Sequence, residues 1–270
     1  MTAEEETPLD RILVPRPDRG EAWRIARRLR RGAEDGRPGL VWLGGYASDM
    51  QGNKALAIDA WARRHGRSCL RFDYSGHGDS DGAFADGCIG DWLEQSLALF
   101  EASTRGPQIV LGSSMGAWIA LLMARRLAEK GAADRLAGFV LIAPAVDFTE
   151  RLVWPSLGPA VQAEIMEKGM WRRPTPDGGE GMPFTRRLFE DGRRHLMYDG
   201  PIRAYAPVEI LQGSDDDAVP WRHALALVEH LVEDPVTFSL VPGGDHRLSR
   251  DEDLQRLEAA VQRIDDICAR

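Results

Sequence analysis

The chain has 270 residues, 43% of them hydrophobic, with 34 basic and 42 acidic side chains and a net charge of −8 at pH 7. That apolar content suits one large domain with an insertion, and an acidic chain without a basic face is not built to bind nucleic acid. The opening residues MTAEEETPLD lack the apolar stretch of a signal peptide, and the longest apolar run, Met115 to Ala124, ends at Arg125-Arg126, too short for a bilayer. A cytoplasmic location and no integral membrane segment are therefore expected. Cys69, Cys88 and Cys268 follow no metal-ligand spacing and read as reduced thiols.

Residues 1–20 are charged and proline-bearing, loose except around Ile12-Leu13-Val14. Trp23, Ile25 and Leu29 alternate with polar residues, as in a half-exposed strand. After a turn over 32–39, Leu40 to Leu43 is a short buried strand ending in Gly44-Gly45. Asn53 to His65 has helical periodicity and stops at Gly66. Ser68 to Phe72 is a strand, Asp73 to Gly90 a loop, and Ile89 to Ser103 a helix with Trp92, Leu93, Leu97 and Phe100 on one face. A strand at Ile109 to Leu111 leads into a helix from Met115, and Leu136 to Ala143 is a further strand. The chain closes with strand Val208 to Leu211, helix 221–232, strand Val236 to Val241 and helix 251–268. Strands alternating with helices imply an α/β fold, a mostly parallel sheet with helices on both faces. Residues 147–205 break this rhythm and are too long for a structureless connection. They read as a cap of short helices inserted in a core of 1–146 and 206–270, over the carboxyl edge of the sheet where such folds place ligands. The cap holds nine basic and nine acidic residues, so the net charge belongs to the core.

The chemistry centres on Gly112-Ser-Ser114-Met-Gly116, the pattern G-x-S-x-G between a strand and a helix. There a serine sits at the tip of a tight elbow, and the glycines let strand and helix approach. Ser114 is the expected nucleophile of a serine hydrolase. A second match, Gly78 to Gly82, lies in a polar stretch with no helix behind Ser80, so it reads as loop, and Ser113 occupies the wrong position of the pattern. A serine hydroxyl needs a base, and the base an orienting acid, in the order Ser, Asp/Glu, His. His246 follows the last strand and is the expected base. His65, His223 and His230 read as surface residues, and His195 falls in the cap. The acid follows the preceding strand, where Asp215, Asp216 and Asp217 stand in a row; the spacing G-x-x-D-x-x-V-P from Gly213 to Pro220 selects Asp216, with Asp217 in reserve and Asp215 behind it. The backbone N–H of Met115, opening its helix, supplies one oxyanion donor, and the loop after Leu40 to Leu43 a second. In the Asp73 to Gly82 loop, His77 as a base and Asp73 as a metal ligand compete with a purely structural reading, which is preferred since no second acid or histidine cluster supports a metal. No metal or cofactor is expected.

Six blocks carry a resemblance: Gly45 to Ile58 (GYASDMQGNKALAI), Arg71 to Gly78 (RFDYSGHG), Gly112 to Trp118, Ala143 to Thr149 (APAVDFT), Asp216 to Trp221 and Asp245 to Arg247. Together they resemble the α/β-hydrolase superfamily over nearly the whole chain, and within it the abhydrolase-domain group typified by a mitochondrial protein-depalmitoylating thioesterase and acyl-glucuronide esterase. The resemblance implies Ser114, Asp216 and His246 as a catalytic triad acting on small-molecule or acylated-protein esters or thioesters. Gly44-Gly45-Tyr46 stands where many relatives carry His-Gly-x, which implies the Tyr46 N–H as the second oxyanion donor. Gln212 departs from a commoner histidine. The same triad beneath a cap also serves C–C bond hydrolysis, and an inactive binding protein of this fold is a third reading. Arg186, Arg187, Arg193 and Arg194 lie on one expected helix with Glu190 and Asp191 at i,i+4 spacing, as exposed ion pairs or as a site for an anionic substrate group.

Overall fold

Alternation decides which face of the sheet each side chain serves. In β3 (Gly39–Leu43), Leu40 and Trp42 enter one core cluster while Val41 and Leu43 enter the other. The computed structural model describes residues 7–16, 20–33, 35–175 and 179–269. The expected loose start therefore lies largely outside the described residues, apart from β1 (Leu9–Val14), which contains Ile12-Leu13-Val14.

Strand β2 (Trp23–Arg30) pairs antiparallel with β1 and with β4 (Cys69–Phe72). Beyond them β3, β5 (Gln108–Ser113) and β6 (Leu136–Ile142) run parallel. Between β6 and the next sheet strand lies the inserted segment, which contributes the separate antiparallel pair β7 (Met170–Arg173) and β8 (Met182–Thr185). The main sheet resumes with β9 (Val208–Gly213) and β10 (Val236–Val241), giving the order β1-β2-β4-β3-β5-β6-β9-β10. Helices α1 (Asn53–Arg64), α2 (Ile89–Ser103) and α3 (Met115–Glu129) follow β3, β4 and β5. The inserted segment adds α4 (Pro159–Lys168) and α5 (Arg186–Gly192), and α6 (Trp221–His230) and α7 (Asp251–Cys268) complete the chain. Residues of α1 and α7 pack on one face of the sheet and those of α2, α3 and α6 on the other, so the α/β layering read from the sequence is the one found.

Short helices alone do not account for the inserted segment, because it also contains the β7–β8 pair. Each of these strands has only four residues and Pro183 interrupts the second, so no period-2 pattern announces them. Asp147, at φ +56° and fully buried, accepts backbone N–H groups from Met197 (2.9 Å) and Tyr198 (2.9 Å), so the two feet of the segment meet at one carboxylate.

The elbow is made by backbone contact. Helix α3 is buried all round from Met115 to Ala124, which draws it against β5 and β3. A Cβ on Gly112 would sit 2.5 Å from the Gly116 carbonyl oxygen, and one on Gly116 would fall on the carbonyl oxygen of Leu43 and 2.6 Å from that of Gly44. Gly44 itself faces open space. Gly116→Ala should therefore lower the unfolding free energy by about 1–3 kcal/mol, and Gly44→Ala should stay within about 1 kcal/mol of the parent. Urea unfolding of the two variants, side by side, checks the pair.

Candidate active site

Ser114 is the residue between β5 and α3, at φ +54° and ψ −117°, a backbone conformation that non-glycine residues rarely adopt. Its backbone N–H donates to the Ile142 carbonyl (2.8 Å), and its carbonyl accepts from Ala117 (3.0 Å) and Ala145 (3.2 Å). The strained turn is thus held from both sides and presents the side chain at the carboxyl edge of the sheet. Gly45, in the loop after β3, lies so near that a Cβ there would be 3.3 Å from the Ser114 Cβ.

His246 reaches this point from the turn after β10. Its Nε2 lies 3.1 Å from Ser114 Oγ and its Nδ1 lies 2.8 Å from Asp216 Oδ2. A carboxylate only accepts, so Nδ1 carries the proton and Nε2 is left to accept from the serine hydroxyl. Of the three consecutive aspartates, it is Asp216 that meets the imidazole. Asp217 is exposed and lines the pocket, and Asp215 accepts from the Ser214 hydroxyl.

Asp216 has a fully buried side chain surrounded by donors. Oδ1 accepts from the N–H groups of Ala218 (2.9 Å) and Val219 (2.8 Å), and Oδ2 accepts from His246 and from Gln212 Nε2 (3.1 Å). Burial pushes its carboxyl upward, but the hydrogen bonds from His246, Val219 and Gln212 outweigh this and hold it below the ordinary carboxylate range. Its pairing therefore supports the fold above that range and is lost as acid titrates the folded group below it. Gln212, noted in the sequence only as a departure from histidine, also donates to the Gly213 and Val219 carbonyls and so braces the turn that holds the acid.

Met115 is the first residue of α3, where an N–H has no intrahelical partner, and neither it nor the Tyr46 N–H meets an acceptor among the described residues. The Tyr46 side chain is anchored separately. Its hydroxyl donates to the Pro183 carbonyl in β8 (2.5 Å), its ring stacks on Phe184 (centroids 5.6 Å, 17°), and it packs edge-on against Phe84 and Trp92. Burial pushes the phenol upward, so it stays a donor. One residue thus joins the loop after β3 to the inserted segment.

Ser114, Met115, Tyr46 and His246 border a cavity of about 340 Å³ whose remaining wall is mainly apolar, including Phe148, Leu152 and Phe184. A larger cleft of about 610 Å³ opens at the opposite edge of the sheet beside Arg37, Arg67 and Gln108, but no histidine lines it. Ser80, half-buried, donates to the Asp73 carbonyl and accepts from the Ala26 N–H. Asp73 accepts from Met50 and Asp79 N–H groups, and His77, lowered to about 4 by burial, bonds Ser75 and Ala47. Both serve the loop. Among the described residues no group of three or more His, Cys, Asp or Glu is placed to hold a metal.

Two readings of the sequence need correction. His223 and His230 are half-buried, with ring nitrogens bonded to the carbonyls of Val146 and Gly200, because the inserted segment packs on α6. Three of the four arginines bind across elements in place of the expected i,i+4 pairs: Arg187 pairs with Asp91 of α2 (2.7 Å), Arg193 with Glu150 (3.1 Å), and Arg186 donates to the Met166 carbonyl. Helix α5 runs only from Arg186 to Gly192, so Arg193 and Arg194 lie beyond it, and none of the four lines the cavity.

Residues 36–261 match the model of the alpha/beta hydrolase family. The human palmitoyl-protein thioesterase ABHD10, mitochondrial, is 33% identical over 231 residues, 85% of this chain and 72% of that protein. Mouse alpha/beta hydrolase domain-containing protein 10 superposes with a TM-score of 0.82 at 29% identity, covering 96% of this chain and 98% of that one. A protein of Agrobacterium vitis S4 reaches a TM-score of 0.90 at 45% identity, covering 95% and 98%. The mitochondrial name of the human relative lends no support to the cytoplasmic location expected from the sequence. Among the described residues no helix is long and apolar enough to cross a membrane. Matched over most of its length and built on the same sheet, the chain belongs to the alpha/beta hydrolase family.

Proposed function

We propose that this hydrolase cleaves carboxylic esters or thioesters through an acyl-enzyme, with residues 147–205 as the cap that shapes the substrate pocket. The observation that carries the reading is the hydrogen-bonded chain Ser114 Oγ, His246 and Asp216 at the floor of an apolar cavity. Ser114 Oγ attacks the acyl carbon while His246 Nε2 takes its proton, and Asp216 holds the imidazole in the right tautomer and stabilises the imidazolium. The carbonyl oxygen becomes an oxyanion facing the N–H groups of Met115 and Tyr46. Collapse breaks the bond to the leaving group, which departs with the proton from His246. Water then repeats the sequence on the acyl-enzyme and frees the acid.

The similarity to a protein named palmitoyl-protein thioesterase supports thioesters, including those on acylated proteins, alongside simple esters. The cavity lies at the low end of ligand-pocket sizes, which favours acyl groups that are compact or that protrude from the mouth.

Ser114→Ala should cut kcat/KM for p-nitrophenyl butyrate at least 1,000-fold, and Asp216→Asn, which keeps the shape but loses the acceptor that sets the tautomer, about 10⁴-fold in kcat. Covalent capture of Ser114 by a fluorophosphonate, located by mass spectrometry, is the companion measurement. A folded wild type that neither turns over an ester nor is labelled would replace this reading with that of a binding protein.

A further inference from the structure

Among the described residues that line the cavity there is one arginine or lysine. It is Arg173, at the end of β7, outside the arginine cluster that the sequence brings to notice. Its guanidinium lies 4.9 Å from the centre of the Phe184 ring, and Phe184 is itself stacked on Tyr46. The aromatic face holds the cation at the pocket while leaving its hydrogen-bond donors unclaimed by that contact.

Several arginines of the inserted segment are matched with acids. Arg172, the preceding residue, lies 3.8 Å from Glu180 and donates to the Gly181 carbonyl; Arg151, Arg187, Arg193 and Arg203 each meet a carboxylate. Among the described residues Arg173 forms no ion pair. Among the described lining residues the other charged side chain, His246 aside, is Asp217, and it belongs to the Asp216–Val219 turn that holds the imidazole. Asp217 shares that wall with His246, which in the proposed mechanism hands its proton to the leaving group, and its charge disfavours a second anion beside it. Arg173 stands on the β7–β8 hairpin, over Phe184, and shares the wall with Phe148 and Met182.

We infer that Arg173 selects esters or thioesters whose acyl chain ends in a carboxylate, that is, half-esters of dicarboxylic acids. The inference rests on the serine-hydrolase reading above. An apolar wall takes the methylene chain, the carbonyl sits at Ser114, and the terminal carboxylate meets the guanidinium in a charge-assisted pair. No bond changes at that end, so the contribution is to recognition.

The test compares kcat/KM for mono-p-nitrophenyl adipate and suberate with p-nitrophenyl hexanoate and octanoate, matched in chain length. These acids are long enough that the carboxylate does not readily attack its own ester. The ratio of carboxylate to methyl-ended substrate should fall about five- to twentyfold in Arg173→Gln, recover in part in Arg173→Lys, and shrink with added salt in the wild type. The change should lie in KM. An equal effect on both substrates, or none, overturns the inference. So does an arginine-dependent preference for 4-octanoyloxybenzoate, which carries its carboxylate on the leaving group. Loss of all Ser114-dependent turnover of the hexanoate would mark the failure of the hydrolase reading itself, and the inference would fall with it.

Discussion

Three stretches of backbone meet at Ser114 with almost no side chain between them, and the rest of the site follows from that closeness. The end of β5, the first turn of α3 and the loop after β3 converge where Gly112 and Gly116 offer no Cβ. The convergence brings the first residue of a helix, Met115, and a residue of a neighbouring loop, Tyr46, to the cavity that Ser114 lines. Backbone dipoles placed this way need no rearrangement when charge develops, and that is where their electrostatic value lies. The unusual φ and ψ of Ser114 cost on the order of 1–3 kcal/mol, offset by the packing of a helix buried on every side.

Electrostatics follow the same economy of place. Asp216 carries its charge inside the protein because four donors face it, two from its own turn, one from Gln212 and one from His246. Gln212 serves only as a donor; its Oε1 is buried without a partner among the described atoms, a loss of about 1–3 kcal/mol for an unmatched acceptor. A turn that keeps its acid ionised and oriented tolerates that loss. Its exposed neighbours Asp215 and Asp217 need no such shell, which is why one aspartate of three is singled out by its surroundings.

How much of this was legible in the sequence depends on distance along the chain. The strands and helices of the sheet announce themselves through alternation and periodicity, and Ile89 to Ser103 is a helix over the residues its pattern marks. Ser114 and His246 are legible because a tight turn and a strand end leave local signatures. Choosing Asp216 took a short spacing, since its donors are nearly all within a few residues. The hairpin of β7 and β8 left no trace, being two strands of four residues held by contacts to Tyr46 and Phe189 and not by their own pattern. Arg173 was equally silent. Its place on the cavity wall depends on Phe184 across the hairpin and Tyr46 from the far side of the chain. Of the four arginines that did stand out, three were misread because proximity in sequence stood in for proximity in space.

The carboxylate of Asp147 has a consequence for how such a molecule changes over generations. By gathering Met197 and Tyr198 to the residue where the inserted segment departs, it closes that segment into a loop whose ends are fixed whatever lies between them. The entropy of closing a loop grows only slowly with its length. Insertions, deletions and replacements inside the segment therefore leave the strands on either side where they were, and the nucleophile with them. The clasp separates the inserted segment from the sheet that carries Ser114, so that one can drift while the other stands still.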